Sequence, residues 1–185
     1  NSMTNFSRGI VLNRIQATSF DIHNNSFNSS SGYYLGLESS IGISIQNFIY
    51  PLNQSNLADV HENAIYHCRT GVFVQNYLAA HVFLNNIYFN EAEFNAPPNS
   101  SFTGTRYGVR IDGGAGVNKI TSNYITKAGG YPVSTLDDKL IGINVQSSFA
   151  NSIVSNLIEK TGSAIRFKSI NGTGVKKTTV QCNQM

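Results

Sequence analysis

Charge is scarce in this chain. Only 12% of its 185 residues are Asp, Glu, Lys or Arg, against about a quarter in an ordinary globular domain. The 13 basic and 10 acidic residues leave a formal net charge of +3, and the longest basic run is Lys176-Lys177. So small an excess is a poor electrostatic footprint for nucleic acid, and no nucleic-acid partner is expected. No apolar stretch approaches the roughly 18 residues of a membrane-spanning helix, so no membrane span is expected. Cysteine is limited to Cys68 and Cys182. They fall several repeats apart, a disulfide needs Cα atoms within about 7 Å, and no Cys/His spacing of the zinc type exists. Two separate thiols and no metal are therefore expected. Apolar residues never recur at helical spacing, and two-residue Asn-Gly turns are missing where hairpins would need them.

What is present is a repeat. An apolar residue, two variable residues, an asparagine, one variable residue and a second apolar residue occur in that order six times. The copies are Ile22/Asn25/Phe27, Val60/Asn63/Ile65, Val82/Asn85/Ile87, Ile120/Asn123/Ile125, Ile153/Asn156/Ile158 and Val180/Asn183/Met185. Asn-to-Asn intervals are 38, 22, 38, 33 and 27 residues, so a fixed core recurs while insertions fall in loops. A glycine-led strand precedes each copy: Gly9-Ile10-Val11-Leu12, Gly42-Ile43-Ser44-Ile45, Gly71-Val72-Phe73-Val74, Gly108-Val109-Arg110-Ile111 and Gly142-Ile143-Asn144-Val145, with Ala164-Ile165-Arg166-Phe167 as the sixth.

Each apolar-x-apolar piece alternates, so one side chain points inward and the next outward. No single unit can bury its apolar face, but stacked units bury it together, with strands about 4.8 Å apart. Asparagine tolerates the left-handed backbone of a tight bend. Stacked asparagines also hydrogen-bond side chain to side chain. An Asn ladder of Asn25, Asn63, Asn85, Asn123, Asn156 and Asn183 at one corner is therefore expected. The expected fold is all-β: a single-stranded parallel β-helix of about six coils, with three short parallel sheets, spanning residues 1–185 as one unit. Because the chain opens in a polar segment and stops at Met185 on a core position, it is expected to be a piece of a longer protein. Other protein segments are then expected to stack on the helix ends.

With these two motifs the chain resembles the right-handed parallel β-helix repeats of pectate lyases, polygalacturonases, phage tailspikes and bacterial surface proteins. The resemblance covers about residues 8 to 185. It implies right-handed coiling, an extracellular or cell-surface location, and a saccharide cleft on the glycine-led sheet, walled by the return loops that follow coils one, three and four.

The outward columns of that sheet follow from alternation. One reads Val11, Ser44, Phe73, Arg110, Asn144, Arg166; the next reads Asn13, Gln46, Gln75, Asp112, Gln146, Lys168. Amides and charges bond sugar hydroxyls, and a ring such as Phe73 stacks on an apolar sugar face. The candidate ligand-binding residues are therefore Phe73, Gln75, Arg110, Asp112, Asn144, Gln146, Arg166 and Lys168, and a polysaccharide is the candidate partner. Catalysis is harder to support. Glycoside hydrolysis needs two separated carboxyl groups, and Asp112 is the only candidate on this face; Asp137 and Asp138 sit in a loop that nothing holds beside it. Polysaccharide lysis needs a basic residue, for which Arg110, Arg166 and Lys168 are suitable types outside any recognisable motif. The turn Asp112-Gly113-Gly114-Ala115-Gly116 lacks the Lys-Ser/Thr and helix of a phosphate cradle, and no cofactor is expected. His23 and His61 should face outward on the second sheet, one coil apart, and read as plain surface. The expected function is a noncatalytic β-helix segment of a large secreted or cell-surface bacterial protein, serving as scaffold, adhesin or partner-binding surface. The alternative is part of a polysaccharide-active lyase or glycoside hydrolase.

Overall fold

The computed structural model describes residues 1–4, 6–14, 19–29, 40–46, 57–76, 79–90, 105–114, 117–128, 140–169 and 177–185. Pro51 and its bend, Asp137, Asp138, Lys176 and most of the three long returns lie outside these residues. The described chain is entirely strand and turn, in three parallel six-stranded sheets. Strands are numbered in chain order. The glycine-led sheet holds β2 (Arg8–Asn13), β5 (Ile41–Gln46), β8 (Thr70–Gln75), β11 (Arg106–Asp112), β14 (Leu140–Gln146) and β17 (Ser163–Lys168). The arm before each ladder asparagine forms the second sheet, from β3 (Ser19–His23), β6 (Leu57–His61), β9 (Ala80–Phe83), β12 (Lys119–Thr121), β15 (Ser152–Val154) and β18 (Thr179–Gln181). The arm after it forms the third, from β1 (Ser2–Thr4), β4 (Ser26–Asn28), β7 (Ala64–Tyr66), β10 (Asn86–Asn90), β13 (Tyr124–Ala128) and β16 (Leu157–Ile158). The chain visits the sheets in rotation, one strand of each per coil, which is a parallel β-helix.

Register follows the repeat. Ile22 pairs with Val60, Val60 with Val82, Val82 with Ile120, Ile120 with Ile153 and Ile153 with Val180. These side chains form one inward column. Phe27, Ile65, Ile87, Ile125 and Ile158 form another, and both are closed from solvent through the middle coils. Each fully buried aliphatic contributes about 1.5–3 kcal/mol of hydrophobic stabilisation. Cys68 is buried, Cys182 is exposed, and they form no disulfide.

The ladder runs in one direction. Asn63 Oδ1 accepts from the backbone N–H and the Nδ2 of Asn25. Asn85 does the same for Asn63, Asn123 for Asn85, Asn156 for Asn123 and Asn183 for Asn156. Each interior amide also donates to two carbonyls; Asn123 Nδ2 reaches Val82 O at 2.9 Å and Thr121 O at 3.1 Å. The ladder extends one step further than the six motif copies, because Asn1 Nδ2 donates to Asn25 Oδ1 at 3.2 Å.

One expectation about this corner is corrected. The ladder asparagines do not take the left-handed backbone; the residue before each one does. Asn24, Glu62, Leu84, Ser122, Ser155 and Cys182 all have φ between 52° and 57°. Left-handed geometry is therefore met by mostly ordinary residues, none of them β-branched, the type least able to adopt it. Asparagine is used for its amide.

Glycine's role is one of space. A Cβ at Gly108 would sit 2.6 Å from the Gly142 carbonyl oxygen and 2.6 Å from Ile125 Cγ2. That direction points into the core, and Val109 beside it is in the core as well. Alternation therefore breaks at the glycine, and the residue before it is turned to the outside.

Candidate functional site

The glycine-led face is assembled by register. Ser44 pairs with Phe73, Phe73 with Arg110, Arg110 with Asn144 and Asn144 with Arg166. Gln46, Gln75, Asp112, Gln146 and Lys168 form the neighbouring column. Within this grid Phe73, Arg110, Asp112, Asn144 and Arg166 come together. The Arg110 guanidinium lies 5.2 Å from the Phe73 ring centroid and 5.0 Å from that of Tyr107. Arg166 stands 5.8 Å from the same tyrosine ring, donates from Nη2 to its hydroxyl, and donates from Nε to Asn144 Oδ1 at 3.0 Å. Each cation–π contact is worth about 0.5–2 kcal/mol, depending on exposure. Tyr107 is absent from the outward columns read by strict alternation, because the break at Gly108 moves it to the outer face. A residue directly before each strand glycine was the signal available.

Arg110 Nη2 donates to Asp112 Oδ2, in a pair whose side chains are one-third and about one-seventh exposed. Asp112 is the only acidic residue in the six strands of this sheet. Gln75 and Gln146 flank Asp112 in register, and Lys168 is exposed on the last coil beside Gln146. The face is not uniformly open: Ser44 and Asn144, at outward positions, are each 1% exposed.

The second sheet carries a different group, built by the sequences Asp21-Ile22-His23 and Asp59-Val60-His61. Alternation puts Asp and His of each strand on the same outer face, and register stacks the two pairs. The His23 and His61 rings are 5.0 Å apart and nearly parallel; His61 stacks on Phe83 at 4.6 Å, and Phe83 on His81 at 4.1 Å. His61 Nε2 meets Asp21 Oδ1 at 2.9 Å. His81 Nδ1 faces Asp59 Oδ1 at 3.5 Å, while its Nε2 lies 3.2 Å from Thr121 Oγ1. Burial pushes the His81 pKa below the usual histidine value, helped by the Lys119 ammonium and His61 and opposed by Asp59. His23 and His61, expected here as plain surface, thus share a carboxylate companion in Asp21, at 3.9 and 2.9 Å, and His61 Nδ1 also lies 3.5 Å from Glu62 Oε2. Among the described residues no group of three or more His, Cys, Asp or Glu is placed to hold a metal ion.

The third face is aromatic: Tyr66 stacks on Tyr88 at 5.1 Å, and Tyr124 meets Tyr88 edge-on. Among the described residues no helix is long and apolar enough to cross a membrane. Compared with protein-family models, curated proteins and solved structures, the chain matches none of them.

Proposed function

We propose that this chain is a noncatalytic β-helix segment of a secreted or cell-surface protein, and that its glycine-led face binds polysaccharide around Phe73, Tyr107, Arg110 and Arg166. The observation that carries this reading is the state of Asp112. It is the single acid of the six glycine-led strands and is engaged by Arg110, whereas glycoside hydrolysis requires two carboxyl groups. Rings bordered by guanidinium groups offer what a saccharide needs, an apolar face to stack on and donors for its hydroxyls; Asn144, 1% exposed, instead accepts from Arg166 and holds it in place. The secreted or surface setting rests on the resemblance to pectate-lyase-like and bacterial surface β-helices.

The test is a titration against a panel of neutral and acidic polysaccharides, with product absorbance and reducing ends followed in the same samples. Binding weakened about tenfold in Tyr107→Ala and Arg166→Ala, a loss of about 1.4 kcal/mol, with no product formed, is the expected result. Release of unsaturated or reducing products that stops in Asp112→Asn would establish the enzyme reading instead.

A further inference from the structure

We propose that Asp59, His81 and Thr121 form a hydroxyl-activating relay on the outer face of the second sheet, which lets Thr121 accept an acyl group from an ester. The three side chains come from consecutive coils, on β6, β9 and β12. In that order they are the orienting acid, the base and the nucleophile. Thr121 Oγ1 lies 3.2 Å from His81 Nε2, and the opposite ring nitrogen, Nδ1, faces Asp59 Oδ1 at 3.5 Å. A carboxylate beside Nδ1 favours the tautomer with its proton there, which leaves the Nε2 lone pair toward the threonine hydroxyl. Phe83 stacks on the His81 ring at 4.1 Å and fixes its plane. Burial favours the neutral form of the imidazole. Thr121 and His81 are both partly exposed on the outer face of the sheet.

The chemistry balances without a co-reactant. Thr121 Oγ1 attacks the ester carbonyl while its proton passes to His81 Nε2. The tetrahedral intermediate then expels the alkoxide, which takes the proton from His81 and leaves as the alcohol. The acyl group remains on Thr121 Oγ1, a single self-modification without turnover, so the segment is acylated but stays noncatalytic. Lys119, two residues upstream on β12 and in register with His81, puts a cation on the same outer face, where negative charge develops on the carbonyl oxygen. Groups that face His81 and set its titration are Asp59 and His61 on β6 and Lys119 on β12. Asp59 is a positioning residue; it touches His81 and not the reacting atoms.

The probe is p-nitrophenyl acetate, with nitrophenolate release followed from pH 5 to 9 and the adduct located by peptide mass mapping. A single acetyl group on Thr121 is expected, retained in Thr121→Ser and absent in Thr121→Val. His81→Gln should slow acylation by about a hundredfold, within the usual range for a general base. Asp59→Asn should move the pH profile as well as lower its height. Acetyl groups spread over lysines with Thr121 unmodified, or an unchanged rate in Thr121→Val, would overturn the proposal. Thr121→Ser provides a folded control, because it keeps the hydroxyl and loses one outward methyl.

Discussion

Coil four and coil six carry the same motif and experience it differently. In coil four, Ile111, Ile120 and Ile125 are fully buried and Asn123 is 1% exposed. In coil six the equivalent Phe167 and Val180 are each 43% exposed and Met185 is 78% exposed. The residue types match, and so does the register. What differs is that coil four is covered on both sides among the described residues and coil six on one. Stability in such a stack is a sum of interfaces between neighbouring repeats, so the worth of a motif residue is set by its neighbours along the axis.

That comparison breaks most sharply at the inward columns. Ile125→Ala should cost about 2–5 kcal/mol, because a cavity opens among residues packed on both sides. Val180→Ala should cost less than about 1 kcal/mol, since much of its surface already meets water. Denaturant midpoints of the two variants measure the ratio; equal losses would show that both coils contribute alike.

The ladder sharpens it next. Asn123→Ala removes the acceptor for the N–H and Nδ2 of Asn85 and the donor to Val82 O and Thr121 O. A loss of about 3 kcal/mol is expected, at the upper end for buried groups left without partners. Asn183 makes the corresponding bonds to Ile153 O and Gln181 O at 3.0 Å each, the latter exposed. Water can replace these, so Asn183→Ala should cost about 1 kcal/mol. Amide exchange at Asn85 N and Asn156 N reports each loss locally.

Much of this was legible in the sequence, and the misses have physical causes. Spacing of apolar pairs around asparagine gave coils, register and ladder, because alternation and stacking leave few other arrangements. It placed left-handed geometry on the asparagines, since asparagine tolerates it; Leu84 and Glu62 tolerate it as well when packing on both flanks holds the bend. Tyr107 was missed because strict alternation does not foresee two consecutive inward positions at Gly108-Val109. The Asp59–His81–Thr121 group was missed because its members lie 22 and 40 residues apart; Asp59 and His81 meet in direct register, but His81 reaches Thr121 only diagonally, since Thr121 pairs with Phe83.

The left-handed seats supply a smaller prediction. Leu84 has φ of 54° and is 48% exposed, so its side chain contributes little burial while its backbone is strained by about 1 kcal/mol or more. Leu84→Asn should raise stability by about 0.5 kcal/mol, since asparagine tolerates this region. Leu84→Val should lower it, because a β-branched residue resists positive φ. A thermal midpoint that falls in both variants would show that Leu84 is retained for contacts of its own.

The smallest expected effect separates the second sheet from the others by pH. The His81 pKa in the folded chain lies below the ordinary 6.5, first because of burial, with Lys119 and His61 acting in the same direction and Asp59 against it. The unfolded chain therefore binds a proton more readily at this site. Stability should fall as pH drops below about 6.5, and the loss should level off once the folded site also titrates. His81→Gln should flatten that slope. Lys119→Gln should reduce it in part, since a neighbouring positive charge no longer opposes the imidazolium, and Asp59→Asn should steepen it by removing the carboxylate that favours protonation. Variants that shift the denaturant midpoint equally at pH 5 and pH 8 would show that His81 titrates alike in folded and unfolded chains. The coil three to four face would then be no different, electrostatically, from any solvated strand surface.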